Sequence, residues 1–352
     1  MNETNLTLRQ KFILNIINRT ALGIDRHGIQ NQVISNYDIS KPTLIRDLNH
    51  LALQKLVRIE GRGKSTKYFP VSTNPVLRAF DLDLYFSADP DQRIGAKKQF
   101  DFSIFNHLKN LLSQEEAEKI KRIKKSFAKQ TQNLSPDIFK RELERFIIEL
   151  SWKSSKIEGN TYTLLETEAL IKESEEAKGK TKDEAIMILN HKEAFEQILK
   201  HARDFKKISL PLINELHQVL TKNLNVSTGI RKQAVGITGT TYQPLDNSHQ
   251  IREAMERLIT AINSNSVPVE KALIANAVVS YIQPFADGNK RTGRMLTNAI
   301  LLAHDYYPLS YRSIDENEFK QSLIIFYEQG SLNHLKSLFI NQLIFAYKTY
   351  FQ

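Results

Sequence analysis

The sequence predicts a mainly α-helical protein with a smaller α+β module at its amino-terminal end. Three observations support this prediction. Apolar residues recur at helical spacing through most of the chain. A stretch between residues 229 and 244 is rich in glycine and β-branched residues and interrupts the helices, while two strand-like segments flank a glycine-containing turn near residue 60. With 352 residues, the chain is long enough for two domains.

The composition excludes several classes of protein. The chain has no cysteine, so it holds neither disulfides nor thiolate metal sites. It has no run of about eighteen apolar residues, and its polar start lacks the basic and apolar regions of a signal peptide. We therefore expect a cytoplasmic protein that does not associate with a membrane.

Positive charge is concentrated near the amino terminus. The formal net charge is +10, and residues 1–70 hold eleven basic and five acidic side chains. A fifth of the chain thus carries more than half of the excess, which suits a polyanionic partner such as DNA. Charge alone would favour a role in solubility.

Residues 1–72 are predicted to form three helices followed by a β-hairpin. Two amphipathic segments come first, and Ser40 then occupies the N-cap position of a third helix. Segments 56–60 and 67–71 flank a basic tip at residues 61–64. This order of elements resembles a winged helix-turn-helix domain.

In a winged helix-turn-helix domain the third helix lies in the major groove, and the wing meets phosphates or the minor groove. The polar side of the third helix and the wing carry side chains that can reach bases or phosphates. The predicted DNA-contacting residues are Lys41, Thr43, Arg46, Asn49, Arg62, Lys64 and Lys67. Such domains usually act as dimers on palindromic sites. Winged helices also serve as protein-binding modules, and the sequence leaves that alternative open.

Residues 73–135 are expected to form a helical connector that packs on the second domain. Its start is apolar, Pro90 and Gly95 interrupt it, and the stretch from Ser113 to Lys129 is typical of a highly charged helix. Residues 136–352 form the second domain, whose pattern is helical almost throughout.

The chemistry of the second domain is concentrated in residues 283–294, Gln-Pro-Phe-Ala-Asp-Gly-Asn-Lys-Arg-Thr-Gly-Arg. Apolar helical stretches lie on both sides, so the segment is a tight loop that ends at a helix N-terminus. Such a loop presents unpaired N–H groups and the positive end of a helix dipole to an anion. Lys290, Arg291 and Arg294 add positive charge, and Asp287 is a hard oxygen ligand of the kind that holds magnesium. These parts predict a site for a magnesium-bound nucleotide.

Apart from its first residue, this segment resembles the Fic signature, His-x-Phe-x-Asp/Glu-Gly-Asn-Gly/Lys-Arg-x-x-Arg. The resemblance implies ATP as the substrate nucleotide and a magnesium ion. It also implies that Phe285 anchors the loop in the core and that Asp287 binds the metal. The implied nucleotide-binding residues are Gly288, Asn289 and Arg291 at the α- and β-phosphates, Arg294 at the γ-phosphate, and the basic Lys290 beside them.

A second segment resembles the Fic inhibitory motif, Ser/Thr-x-x-x-Glu-Gly/Asn. Ser154, Glu158 and Gly159 match it at the end of a helix that we expect to span about residues 137–159. The resemblance implies that Glu158 pairs with Arg294 at the γ-phosphate position, so that ATP binds unproductively until the helix moves. Taken alone, Ser-x-x-x-Glu is a common helical pattern.

Residues 235–243 resemble a third feature of the family, a β-hairpin flap that aligns an extended segment of the target protein by strand addition. The implied target-contacting residues are Thr238, Gly239 and Thr240. The resemblance covers residues 136–350, and it implies transfer of AMP from ATP to a Ser, Thr or Tyr hydroxyl of a target protein.

The sequence departs from the family at the catalytic residue. Gln283 occupies the position of the histidine that takes the proton from the target hydroxyl. A neutral amide is not basic enough for that step, and losing a general base typically costs about 10²–10⁴ in rate. His191, His217 and His249 are candidates for a substitute base, although a structural role fits each of them better.

Three functions remain open from the sequence. The first is a protein adenylyltransferase that Glu158 inhibits and Gln283 impairs. The second is a nucleotide-binding pseudoenzyme that regulates transcription through its winged helix. The third is an interaction module in which both domains bind only protein.

Overall fold

The computed structural model describes residues 6–18, 20, 23–71, 74–131 and 135–350, except for the side chains of Lys64 and of residues 127–131. The chain divides into two compact units. The first consists of Met1–Lys98, Ile237–Tyr242 and Ile324–His334. The second consists of Gln99–Gly236, Gln243–Leu323 and Leu335–Gln352.

The amino-terminal part of the first unit contains three helices and a small sheet. The helices are α1 (Leu8–Asn18), α2 (Arg26–Val33) and α3 (Lys41–Leu53), and the strands are β1 (Ile24–Asp25), β2 (Val57–Glu60) and β3 (Lys67–Pro70). Strand β3 lies in the middle and pairs with both neighbours in antiparallel register, so that Tyr68 is opposite Ile24 on one side and Ile59 on the other. The three helices and the hairpin are as predicted. Strand β1 was missed because two residues are too short to show a period of two.

Helix α3 begins where the sequence predicts. Ser40 is extended, and its hydroxyl accepts a hydrogen bond from the backbone N–H of Thr43. Leu44, Leu48 and Leu51 on one face of the helix are fully buried in a core that also takes apolar side chains from α1, α2, β2 and β3. This core consists only of residues before 70, so the amino-terminal part has its own apolar interior.

The β-hairpin predicted for residues 235–243 is absent. In this fully described segment the structure has a turn at Thr238 and Gly239 but no strand, and Gln243 forms an isolated bridge with Gln99. Gly239 has a φ of +86°, a conformation that favours glycine. The prediction was wrong because local β propensity does not report which partner a backbone group takes.

Within the first unit, the polar groups of this segment pair with residues far away in the chain. Arg93 Nη1 donates to the carbonyl of Gly239 at 2.8 Å and to Glu328 Oε1 at 3.0 Å. The hydroxyl of Thr240 donates to the same carboxylate oxygen, and Tyr85 donates to the other. These bonds replace the strand ladder that the composition suggested.

The other helices follow along the chain. They are α4 (Leu82–Phe86), α5 (Gln114–Thr131), α6 (Pro136–Ile157), α7 (Leu164–Glu173), α8 (Lys182–Lys200), α9 (Leu210–Thr221), α10 (Ser248–Ser264), α11 (Pro268–Ile282), α12 (Asn289–Ala303), α13 (Glu316–Gln329) and α14 (Asn333–Thr349). The protein is therefore mainly α-helical, as predicted. Among the described residues, none of these helices combines the length and apolar character that a membrane span requires.

Helices α11 and α12 form the centre of the second unit. Helix α11 is buried at every position after Pro268, and α12 is buried at all but two of its positions. Helices α6, α8 and α9 pack around α12, and α10 packs on α11. The two central helices approach closely at Gly293, where an added Cβ would lie 3.0 Å from the carbonyl oxygen of Asn276. The loop that joins them is thus held at one end of a tightly packed helix pair.

We expect Gly293→Val to destabilise the protein by about 1–3 kcal/mol, because its side chain would force α11 and α12 apart. The midpoint of thermal unfolding should fall accordingly. Gly236→Val is the matched control, since no atom lies within 4 Å of an added Cβ at that position. Equal midpoints for the two variants would contradict the packing described here.

Candidate functional site

The turn between α11 and α12 depends on two residues with positive φ. Gln283 caps α11 with a φ of +51°, and Gly288 precedes α12 with a φ of +78°. A Cβ on Gly288 would lie 3.0 Å from Thr221 Cγ2 and 3.4 Å from Arg291 Nη2, so glycine suits both the conformation and the space. No side chain caps α12, and the N–H groups of its first turn have no partners within the helix. This end of α12 is suited to hold an anion.

Two side-chain amides hold the loop in shape. Asn289 Oδ1 accepts from the backbone N–H of Phe285 at 2.8 Å, and Asn289 Nδ2 donates to Phe285 O at 2.8 Å. The same Nδ2 donates to Gln283 Oε1 at 2.9 Å, while Gln283 Nε2 donates to the carbonyl of Ser280 at 2.7 Å. Both residues are buried, and the Gln283 side chain is bonded at both of its polar atoms. Gln283 is therefore part of the scaffold of the loop.

Arg231 also holds the loop, although the sequence analysis assigned it no role. Its side chain is 2% exposed, and its Nε donates to the carbonyl of Gln283 at 2.7 Å. Its backbone N–H donates to the carbonyl of Pro284 at 3.0 Å. A single arginine in an irregular segment carries no periodic signal that could have revealed these contacts.

His217 supports the loop from α9. Its ring stacks on Phe285 with centroids 3.8 Å apart, and its Nε2 donates to the carbonyl of Asp287 at 2.9 Å. Burial lowers the pKa of His217, so the ring is neutral. Its Nδ1 is buried and has no hydrogen-bond partner among the described atoms. These contacts give His217 a structural role and agree with the anchoring role predicted for Phe285.

Asp287 and Arg291 form an ion pair at the mouth of the loop. Arg291 Nη2 lies 2.8 Å from Asp287 Oδ2, and the Arg291 side chain is 3% exposed whereas the Asp287 side chain is 69% exposed. Burial lowers the pKa of Arg291, and the charges of Asp287 and Glu158 oppose that shift. Among the described residues, no group of three or more acidic, histidine or cysteine side chains could hold a metal ion. A magnesium ion on Asp287 would therefore need other oxygen ligands, such as those of a phosphate.

Arg294 is the most buried charge of the site. Its side chain is 1% exposed, and its Nη1 lies 2.7 Å from Glu158 Oε1. Its Nε donates to Ser154 Oγ at 3.0 Å, and its Nη2 donates to Ser154 O at 2.9 Å. Lys290 Nζ lies 3.8 Å from the other oxygen of Glu158. The structure thus contains the ion pair that the inhibitory motif implied.

The end of α6 places Glu158 beside Arg294 and Lys290. Glu158 caps the helix, and Gly159 follows with a φ of +99°, which lets the chain turn away. Burial opposes ionisation of the Glu158 carboxyl, but the charges of Arg294 and Lys290 and the hydrogen bond from Arg294 outweigh it. The pKa of Glu158 consequently lies below its usual value, so the contact is an ion pair at neutral pH.

His191 is enclosed beneath Arg294 and is not available as a base. Its Nε2 lies 2.8 Å from Ser154 Oγ, and its Nδ1 lies 2.8 Å from Met187 O and 3.3 Å from Ser155 Oγ. Burial lowers its pKa to about 3, and the charges of the nearby arginines act in the same direction. The third histidine, His249, is exposed near the start of α10, and no hydrogen bond joins its side chain to another residue in the described part of the chain.

The other residues singled out from the sequence lie in the first unit. Five of the predicted DNA-contacting side chains are exposed, namely Lys41, Arg46, Asn49, Arg62 and Lys67. Thr43 is half-buried, and the side chain of Lys64 lies outside the described residues. The flap residues Thr238, Gly239 and Thr240 belong to the first unit as well. The candidate site itself is built from residues of the second unit.

Residues 207–301, which contain the loop and its supporting residues Arg231 and His217, match the Fic/DOC family. This stretch belongs to the Fic/DOC family. The protein adenylyltransferase Fic of Drosophila ananassae is 30% identical over 156 residues, which are 44% of this chain and 31% of that protein. The protein of the same name from Nematostella vectensis is 26% identical over 194 residues, 52% of this chain and 44% of that protein. The chain thus spans less than half the length of these relatives.

Solved structures of Fic proteins share the fold. Fic-1 from C. elegans superposes with a TM-score of 0.57 at 19% identity, covering 67% of this chain and 70% of that one. A Fic family protein from Desulfovibrio desulfuricans G20 superposes with a TM-score of 0.55 at 22% identity, covering 71% and 74%. At these identities the likeness establishes the mainly helical Fic fold.

We expect the free energy of unfolding to fall as the pH is lowered from about 6.5 towards 3, because unfolded His191 binds a proton that the folded protein excludes. Where the unfolded chain binds one proton more than the folded protein, the free energy of unfolding changes by about 1.4 kcal/mol per pH unit. Urea unfolding of wild type and His191→Gln at several pH values measures this contribution as the difference between the two curves. The exposed His249→Gln serves as control. A difference that does not change with pH would contradict the neutral, buried state of His191.

Proposed function

We propose that this chain is a Fic-type protein adenylyltransferase whose nucleotide site is inhibited by Glu158 and whose chemistry is weakened by Gln283. The observation that carries the proposal is the 2.7 Å ion pair between Glu158 and the buried Arg294, beside a glycine turn that leads into α12. The adenylyltransferases that resemble this chain support ATP as the donor and a protein as the acceptor. The hydroxyl of a Ser, Thr or Tyr residue would receive the AMP.

The loop and the start of α12 would bind the phosphates. Gly288 supplies the positive-φ turn that leads into α12, and Asn289 keeps the loop in the shape that would expose the N–H groups of α12 to a phosphate. Arg291 and Lys290 add positive charge there. The exposed carboxylate of Asp287 fits a magnesium ion, which would neutralise charge on the phosphate oxygens when bound.

Glu158 would compete with the γ-phosphate for Arg294. One edge of the guanidinium, Nε and Nη2, is held by Ser154, whereas Nη1 is held by Glu158. A phosphate oxygen could replace the carboxylate at Nη1, because both are anionic acceptors. ATP would then bind productively only when the Glu158 carboxylate has left this position.

Gln283 limits the chemical step and leaves nucleotide binding intact. Its amide cannot take a proton from a hydroxyl near neutral pH, and its polar atoms are bonded to Ser280 and Asn289. Positioning and charge stabilisation by the loop do not need a base at this position. Turnover should therefore be slow rather than replaced by a different reaction.

Labelled ATP and the four combinations of Glu158→Gly and Gln283→His test this function. We expect the double variant to label itself or a partner protein most strongly, and Glu158→Gly to do so about 10²–10⁴ times more slowly. Wild type should show the least labelling. Failure of the double variant to transfer label to any protein in a cell extract, although it binds ATP, would refute the proposed activity.

The role of Asp287 can be measured by calorimetry in the Glu158→Gly background. We expect Asp287→Asn to remove most of the magnesium dependence of ATP affinity, because the neutral amide is a much weaker magnesium ligand. The exposed Asp246→Asn is the matched control and should behave like its parent. Unchanged magnesium dependence in Asp287→Asn would exclude this residue as the ligand.

DNA binding by the amino-terminal module is a second candidate function. The observation that favours it is the exposure of Lys41, Arg46 and Asn49 along α3, together with Arg62 and Lys67 at the hairpin, on a module with its own apolar core. This arrangement supports a winged helix that presents α3 to the major groove. Such a module would regulate transcription and would act as a dimer. Gel filtration can test whether the protein is dimeric.

We expect Arg46→Ala and Lys67→Ala to weaken binding to a mixed pool of duplex DNA. Each lost phosphate contact should reduce the slope of log K against log salt by about 1. The exposed Lys207→Ala, in the second unit, is the charge-matched control. The same affinity and salt slope in all three variants would contradict DNA binding through α3 and the hairpin, and failure of the wild type to bind DNA would favour a protein-binding module.

A further inference from the structure

A chain of hydrogen bonds leads from α8 to the guanidinium of Arg294. The carbonyl of Met187 lies 2.8 Å from His191 Nδ1, and since a carbonyl can only accept, the ring proton is on Nδ1. His191 Nε2 is then an acceptor, and it accepts a hydrogen bond from the Ser154 hydroxyl at 2.8 Å. Ser154 Oγ in turn accepts from Arg294 Nε at 3.0 Å. Each group has one role left to it, so the direction of the chain is determined.

The part of this chain between His191 and Arg294 is buried. His191 and Ser154 are fully buried, and Arg294 is 1% exposed. The pKa of His191 is about 3 because of burial and the neighbouring positive charges, so Nε2 remains an acceptor throughout the physiological range. Water therefore does not compete for the Ser154 hydroxyl in the folded protein.

The guanidinium of Arg294 has two edges with different surroundings. Ser154 contacts Nε through its hydroxyl and Nη2 through its carbonyl, and both of these partners are buried. Nη1 instead points to Glu158, whose side chain is 19% exposed. One edge is thus anchored inside the protein, and the other faces the group that an anionic ligand would displace.

We propose that His191 is a positioning residue for nucleotide binding, which orients the Ser154 hydroxyl so that Arg294 offers Nη1 to the terminal phosphate of ATP. The inference rests on the proposed function, because it assumes that the loop binds a nucleotide and that Arg294 reaches its last phosphate. It adds a residue on α8, outside both sequence motifs, to the groups that distinguish ATP from ADP.

The effect of His191 should be confined to the terminal phosphate. Without the acceptor at Nε2, the Ser154 hydroxyl is no longer held in one orientation, so its oxygen becomes a less well-placed acceptor for Arg294 Nε. Among the described residues, no hydrogen bond joins His191 or Ser154 to Gly288, Asn289 or Arg291, the groups that would hold the inner phosphates. A loss of ATP affinity without a loss of ADP affinity is therefore the signature of this role.

Calorimetry with Mg-ATP and Mg-ADP in the Glu158→Gly background tests the proposal. His191→Asn keeps an amide near Met187 but is too short to reach Ser154, whereas His191→Gln places an amide oxygen near the position of Nε2. We expect the Asn variant to reduce the preference for ATP over ADP about threefold to tenfold. The Gln variant should keep the preference within about twofold of the Glu158→Gly parent. Ser154→Ala, which removes the same hydroxyl without touching α8, should lose the preference as the Asn variant does.

The outcomes separate this inference from the proposed function. If Glu158→Gly shows no preference for ATP over ADP, the proposed role of Arg294 fails and the inference falls with it. If Glu158→Gly prefers ATP and the Asn and Ala variants keep that preference, only the inference is overturned. Equal losses of ATP and ADP affinity would mean that His191 merely supports the fold. Circular dichroism identifies any variant that does not fold, and Ser154→Ala then decides the result.

Discussion

Arg294 carries a permanent positive charge at a position where only 1% of its side chain reaches solvent, and the second unit is organised to satisfy it. An unpaired charge at such a depth would cost several kcal/mol, so its acceptors must be supplied by the protein. Helix α6 supplies them from one turn, with the carbonyl and hydroxyl of Ser154 and the carboxylate of Glu158. This requirement holds the end of α6 against α12, and through His191 it also determines the contact with α8.

Under the proposed function, the same arrangement would link the stability of the protein to inhibition of the site. The two central bonds of the chain from Met187 to Glu158, at Ser154, are buried, whereas the bonds at Met187 and Glu158 are partly exposed. Under the proposed function, a ligand could therefore replace the carboxylate while the bonds of Ser154 to Arg294 remain. The shape of the loop does not depend on a basic side chain either, because hydrogen bonds of the Gln283 and Asn289 amides maintain it. Under the proposed function, glutamine in place of histidine would therefore affect proton transfer more than the geometry of the loop.

Local signals explain what the sequence could predict. The cap at Ser40 and the glycine turn at Gly288 mark helix ends, and apolar periodicity marks α11 and α12. The prediction of a hairpin at residues 235–243 was wrong because β propensity does not report the hydrogen bonds that Arg93 and Glu328 form with this segment. The roles of His191 and Arg231 were out of reach for a related reason. Their partners lie 37 and 52 residues away, and no spacing along a helix or strand connects them.

Crystal structures of wild type and Glu158→Gly soaked with Mg-ATP test the central claim most directly. In Glu158→Gly we expect a γ-phosphate oxygen about 3 Å from Arg294 Nη1, with Arg294 Nε still on the Ser154 hydroxyl. In wild type the carboxylate of Glu158 should keep Nη1 and leave the γ-phosphate elsewhere. A γ-phosphate that is remote from Arg294 in both structures, or that binds Nη1 with Glu158 still in place, would contradict the account.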